Sequence, residues 1–422
     1  MLDQGNTAFI LIAAALVLLM TPGLAFFYGG LVKAKSVISM MMMSFGAIGL
    51  IGVLWVLYGY AIAFPGAEGT IFPWSIDTSA LGLSSLVDVP EDAAYPPLAF
   101  AAFQATFAII TVALISGAIA DRAKFGAWMV FAAIWATVVY FPVASWVFNF
   151  GLADDASFEY GGWLTHGLQD VFGVGTIDFA GGTAVHINAG AAALALALVL
   201  GKRVGFAKGM GKPHNPPFVL LGAGLLWFGW FGFNAGSELA ADGTAALAFI
   251  NTIAAPAAAL LAWLLVEKIK DGKPTSVGAA SGAVAGLVAI TPACGSLTPG
   301  YAIILGLVAG AICALAIDLK FKLGFDDSLD VVGIHLIGGL IGTLYLGFFA
   351  NGTGLVYGAD ASQLLVQAIA AFSVLIYSFV LAFIIGIIIE KTMGFRVKNE
   401  DEVAGIDSVV HGEEGYVLVD AK

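Results

Sequence analysis

The chain has 422 residues, 60% of them hydrophobic and only 11% charged, and it carries a net charge of −12. A soluble domain of average make-up carries roughly 25% charged residues, so too few remain here to coat a water-facing surface, and the mean hydropathy of +0.96 agrees. Disorder is excluded by the apolar content, collagen by the lack of a Gly-x-y period among 54 glycines, and a disulfide framework by a count of two cysteines, Cys294 and Cys313, in separate apolar stretches.

A membrane span needs about 20 mostly apolar residues. Such runs fall, in chain order, at 8–31, 38–64, 97–120, 126–149, 181–200, 217–237, 245–266, 275–292, 300–319, 332–350 and 362–389. The fold class expected is therefore an all-α polytopic membrane protein of eleven spans. The eighth run is short and rich in small residues before Thr291-Pro292. Residues Met1 to Thr7 hold no Lys or Arg, as a signal peptide's leading region would. The first run is thus expected to stay as a span, its N-terminus outside. The glycines suit helices that approach closely in lipid.

Charge tests the order of the spans. Loops after the odd spans hold Lys33, Lys35; Arg122, Lys124; Lys202, Arg203, Lys208, Lys212; Lys268, Lys270, Lys273; Lys320 and Lys322, and Lys391, Arg396, Lys398 and Lys422 follow the last. Loops after the even spans hold none of either type. They carry Glu68, Asp77, Asp88, Glu91, Asp92, Asp154, Asp155, Glu159, Asp170, Glu238, Asp242 and Asp360. By the positive-inside rule the C-terminus is cytoplasmic in a cell membrane. The acidic outer face either concentrates cations or serves only solubility and orientation. Spans 1–5 and 6–10 make two halves of odd length (about 8–200 and 217–350), so a repeat between them must be inverted, as in many transporters. The domain expected covers 1–391, and 392–422 form a charged cytoplasmic tail.

Ionisable groups inside a span are expensive and mark function. His186 and His335 lie in the fifth span of each half, and Asp178 precedes His186 by eight residues. Asp330, five residues before His335, is the expected inverted partner of Asp178. Each histidine alone could be a core residue satisfied by a carbonyl; the matched pair favours a shared site. A metal would need a third ligand, and none stands out. Asp178 can cap the N–H groups of Gly181, Gly182 and Thr183, hold charge near a cation, or do both. Phe103 and Phe107 share a helix face, and span 6 carries Trp227, Trp230, Phe231, Phe233 and Ser237. Aromatic faces attract cations, although such residues also pack cores.

The segments DFAGGTAVHINAG (178–190), LGKRVGF (200–206), KPHNPP (212–217), WFGFNAGS (230–237), GLVAITPACG (286–295) and DVVGIHLIGG (330–339) together resemble the ammonium transporter family (Amt/Mep/Rh), bacterial type, from about residue 8 to Tyr416. The resemblance implies an ammonium channel and not an enzyme, with no cofactor and no nucleic-acid partner. His186 and His335 match the family's twin pore histidines, Asp178 its acidic residue beside the outer cation site, and Phe107 and Phe233 its phenylalanine gate. Phe103 and Ser237 match recruitment residues of the outer vestibule. Where many members carry Trp, this chain reads SWVFNF, with Ser145 and Phe148; phenyl is a weaker cation–π partner than indole, and Trp146 or Trp163 could compensate. The resemblance also implies a homotrimer, methylammonium as a second substrate, and a tail that meets a PII-type regulator. A sensor signalling through that tail and a membrane enzyme using His/Asp chemistry stay open as alternatives.

Overall fold

In hydrocarbon no water satisfies the backbone, so spanning segments must close their own hydrogen bonds, and helices do so within one segment. The structure, a computed structural model, describes residues 2–65, 75–91, 93–149, 161–206 and 211–416, and among these there is no strand. The main helices are α1 (Gln4–Leu31), α2 (Ala34–Ala63), α3 (Pro97–Ile119), α4 (Phe125–Phe148), α5 (Gly182–Leu200), α6 (Pro216–Glu238), α7 (Gly243–Lys270), α8 (Ser276–Ile290), α9 (Pro299–Leu323), α10 (Val332–Phe349) and α11 (Ser362–Thr392). Ten are long and apolar enough to cross a membrane; α8, with 15 residues, is the shorter apolar one. Their ends fall within four residues of the apolar runs read from the sequence.

Local chemistry starts these helices where they start. Asp3 accepts from Asn6 N, Asn215 from Phe218 N, Asp242 from Thr244 N and Ala245 N, and Thr275 from Gly278 N, so side-chain oxygens satisfy donors left over at each first turn. Proline stands in the first turn of α3, α6 and α9, where its missing N–H removes nothing.

The packing repeats with an offset of five helices. α1 lies on α3, and α2 on α3 and α4; in the same way α6 lies on α8, and α7 on α8 and α9. The first helices of the two sets, α1 and α6, run along each other. A Cβ at Gly222 would sit 2.6 Å from Phe27 Cα and 2.7 Å from the Gly23 carbonyl, so only glycine permits that approach. α5 and α10 cross between the sets, and α11 packs on both from outside.

At the end of the bundle that carries Lys and Arg, buried charges knit the loops together. Arg203 makes a two-pronged pair with Asp326 (Nε 2.9 Å, Nη2 2.8 Å) and reaches Asp121 at 3.2 Å. Fully buried Arg122 donates to Ser328 and to the Asp326 and Ala118 carbonyls. The tail, over its described residues to Tyr416, adds to this network. Val397 N donates to Arg122 O, and Glu402 accepts from Val204 N and Arg396. The Asp407 carboxylate accepts from Ile38 N and Ser39 N at the start of α2. Of the charged residues read in the sequence, Glu68, Asp92, Asp154, Asp155, Glu159, Lys208 and Lys422 lie outside the described residues.

Candidate functional site

The site is assembled where α5 and α10 cross. Asp178 does not lie on α5 but just before it, and its carboxylate takes the helix's unpaired N–H groups. Oδ1 accepts from Gly181 N (2.9 Å) and Gly182 N (2.5 Å); Oδ2 accepts from Thr183 N (2.8 Å), Ala184 N (3.2 Å) and the Thr183 hydroxyl. Gly181 sits at φ +114°, a conformation other residues rarely adopt. The capping role read for Asp178 is therefore what the geometry shows.

The partner expected at the other end, Asp330, is not the counterpart. Asp327 is: its carboxylate accepts from Val331 N (3.1 Å) and Val332 N (2.7 Å) at the start of α10. Eight residues separate Asp327 from His335, as eight separate Asp178 from His186. That spacing sets a carboxylate under the first turn and a histidine about two turns deeper. Asp330, at φ +64°, pairs instead with Lys320 Nζ at 2.5 Å. Burial pushes the Asp327 carboxyl up to about 6, with Lys320 working against it. Burial also works against charge on Asp326, but Arg203 more than offsets it and holds that carboxyl below the usual range.

Both helices widen into a π-turn over the histidine, at Gly182–Ile187 and Val332–Leu336, a feature frequent at functional sites. Four residues beyond each histidine stands a glycine, and each makes the crossing possible. A Cβ on Gly190 would lie 2.6 Å from Leu336 N, and one on Gly339 would lie 3.0 Å from Ile187 and 3.2 Å from His186 Cβ. These contacts run in opposite senses along the two helices, so α5 and α10 cross antiparallel.

His186 and His335 consequently meet ring to ring, centroids 5.2 Å apart at 25°, with Nδ1 to Nδ1 at 3.2 Å. In the neutral pair one Nδ1 donates and the other accepts, so one Nε2 is an acceptor and the other a donor. His186 Nε2 is buried without a protein partner. It borders a slit of ≈ 10 Å³, lined by Leu24, Phe27, Leu114, Trp230, Phe233 and both histidines. That is room for the centre of about one water-sized molecule. Trp230 stacks on His186 (5.4 Å, 24°) and donates from Nε1 to Thr291 Oγ1 at 2.9 Å.

Phe107 stacks at 4.2 Å and 21° on Phe233, which lines the slit. Phe103 and Phe148 both meet Phe107 edge-on, at 4.8 and 6.2 Å. Ser237 donates to the Phe233 carbonyl (2.8 Å), beside Gly236, whose Cβ would lie 3.1 Å from the Phe103 ring. A Cβ on Gly181 would lie 3.4 Å from the Phe148 ring, so the Asp178 cap adjoins the aromatic group. Of the eight residues singled out in the sequence, Phe233, His186 and His335 line the slit, Phe103, Phe107 and Phe148 form the ring cluster on Phe233, and Ser237 and Asp178 adjoin that cluster. Trp146 packs on Trp163 and on Tyr377 of α11. Among the described residues no three His, Cys, Asp or Glu side chains group to hold a metal.

Sequence reading missed Asp327 and the partner role of Trp230. The repeated D-x7-H-x3-G spacing, read side by side in the two halves, would have found the former. Nothing local signals the Trp230–Thr291 bond.

Comparison with known proteins places this geometry. The ammonium transporter family profile matches residues 8–416. The chain is 53% identical to an ammonium transporter of Mycobacterium tuberculosis (strain ATCC 25618 / H37Rv), covering 98% of this chain and 90% of that protein. It is 44% identical to the ammonium transporter of Bacillus subtilis (strain 168), over 98% and 99%. Among solved structures it is similar to a sensor Amt protein (TM-score 0.86, 28% identity, 96% of this chain and 98% of that one). It is also similar to Mep2 of Saccharomyces cerevisiae (TM-score 0.83, 33% identity, 94% and 91%).

Proposed function

The chain belongs to the ammonium transporter family, and from that premise we propose that it recruits ammonium at the acidic end of the bundle, deprotonates it and conducts ammonia through the histidine-lined slit. The observation that carries the reading is the slit itself: apolar, water-sized, lined by Phe233, on which Phe107 stacks, and by two histidines in Nδ1 contact.

A bare ammonium ion would face a large desolvation cost there. It also resembles potassium in size and charge, so a charged pore would separate the two poorly. Loss of a proton solves both difficulties, because potassium has none to lose. The Phe103, Phe107 and Phe148 rings offer cation–π attraction, the Ser237 oxygen a further contact, and Asp178 negative charge behind them. Past the gate, the paired imidazoles present one acceptor and one donor, which suits passing a neutral amine or relaying its proton. The acidic end faces outward in a cell membrane, with the N-terminus outside and the tail cytoplasmic. Methylammonium is a second substrate, the protein works as a homotrimer, and the docked tail offers a PII-type regulator its surface.

Reconstituted in proteoliposomes, the protein gives a current on an ammonium pulse and none on a potassium pulse. Replacing both histidines with leucine lowers the ammonium current roughly 100-fold or more, the scale of acid–base assistance; an undiminished current would remove the histidines from the mechanism. A second reading, a sensor that signals through its tail, is favoured by the likeness to the sensor Amt protein and by the tail's hold on the bundle. Ammonium binding with neither current nor alkalinisation of the vesicle lumen would select it.

A further inference from the structure

One buried polar cluster lies outside the pore path. On α11, Gln367 is fully buried and grips the backbone of a single residue with both ends of its amide: Ile177 N donates to Oε1 at 2.7 Å, and Nε2 donates to Ile177 O at 2.8 Å. Nε2 also donates to Thr343 O of α10 at 3.1 Å. One turn earlier Gln363, 2% exposed, donates from Nε2 to Gly175 O (3.2 Å) and to Gln367 Oε1 (3.2 Å). From the other side Phe179 N donates to Pro292 O at 3.1 Å. Residues 175–179 are therefore a strap clamped between α11 and the turn after α8, with Thr176 N also donating to Leu164 O at 3.3 Å.

The residue between these anchors is Asp178. Its carboxylate reaches the amides of 181–184 only if the peptides on either side hold their places. The strap follows the short helix Leu168–Phe172 and has no ladder of its own, so at Ile177 the glutamine amide supplies the pairing that a neighbouring strand would. A side-chain amide is a neutral group that offers donor and acceptor at peptide spacing. Each bond made inside the bundle must be kept, because a buried peptide left unpaired is costly.

We propose that Gln367 is a positioning residue for cation recruitment: it holds the backbone on both sides of Ile177 and, through it, sets Asp178 against the aromatic end of the slit. This rests on the transport reading above. α11 belongs to neither of the two five-helix sets, so the clamp gives it a part in the site that its place on the outside of the bundle conceals.

The test compares wild type, Gln367→Met and Gln363→Met in proteoliposomes, with current read against ammonium concentration, alongside hydrogen exchange at the amides of 181–184. Gln367→Met keeps the volume and removes the bonds. The half-saturating concentration should rise roughly three- to tenfold, the scale of one or two lost hydrogen bonds, while the maximal current per folded protein stays within about twofold, and exchange at 181–184 should quicken. Gln363→Met should shift both in the same direction by less, and it decides the matter if Gln367→Met does not fold. Unchanged half-saturation with unchanged exchange at 181–184 overturns the clamp and leaves transport standing. So does an equal loss of maximal current at constant half-saturation, the mark of a merely structural role. A wild type with neither ammonium-specific current nor ammonium-driven alkalinisation of the vesicle lumen overturns the transport reading, and the clamp's recruitment role with it.

Discussion

Asp178 and Asp327 are the same residue type at the same spacing, yet their surroundings differ. Asp178 takes five donors from its own helix start; Asp327 takes two, with Lys320 bonded to its carbonyl at 3.0 Å. An amide in place of either carboxylate would turn an NH2 toward N–H donors. Asp178→Asn is expected to destabilise the protein by about 2–3 kcal/mol, read as a lowered Tm in detergent, and to raise the half-saturating ammonium concentration. Asp327→Asn should lower the Tm while leaving half-saturation within about twofold. Equal effects of the two on half-saturation would argue that neither acts on the entering ion. Phe148 belongs to this scale as well. If its ring faces the cation, Phe148→Trp should lower half-saturation about two- to fivefold, since indole is the stronger partner; current against concentration checks it.

Helices meet at the site only because small residues let them. Gly190 faces the Leu336 backbone, which cannot move aside as a side chain could. Gly190→Ala should therefore push α5 from α10, widen the 3.2 Å histidine contact and cost about 1–3 kcal/mol, together with most of the current. Gly224→Ala, on α6 with nothing within 4 Å of its new Cβ, should be neutral or stabilising by up to about 1 kcal/mol, which thermal unfolding will show. The same scale explains α8. Fifteen residues rise about 22 Å, short of the roughly 30 Å of hydrocarbon. The apolar run read there extends through Thr291-Pro292, and the chain turns where the helix stops, with Pro292 spent on anchoring Phe179. Composition alone does not distinguish a helix from an apolar turn packed behind it.

Across the whole molecule, the Arg- and Lys-rich end is held by buried ion pairs that include the tail. Asp326 sits below its ordinary value because Arg203 outweighs burial. A lowered carboxylate contributes stability above its ordinary value that is lost as pH falls through the lowered one. The protein should therefore lose Tm below about pH 4, and Asp326→Asn should flatten that acid limb while lowering Tm at pH 7 by the equivalent of about 3–5 kcal/mol, the scale for breaking a buried pair. An unchanged acid limb would place the sensitivity elsewhere. Asp327 next to it, raised to about 6, has the opposite sign: its contribution is lost as pH rises through that value.

Read without the structure, the residues already gave the helices, their ends to within four residues, the alternation of charge, and the two histidines and the phenylalanines that the fold brings together. These were legible because a span must be apolar over its length, and because a charge or an imidazole inside it stands out against that background. Packing alone reveals which carboxylate answers Asp178, that the two imidazoles share an Nδ1 contact, that Trp230 binds Thr291, and that Gln367 and the tail reach across the bundle. Each of these joins residues far apart in the chain through one or two polar atoms. A hydrogen bond of that kind leaves no period in the sequence, since its geometry exists only once the helices have packed.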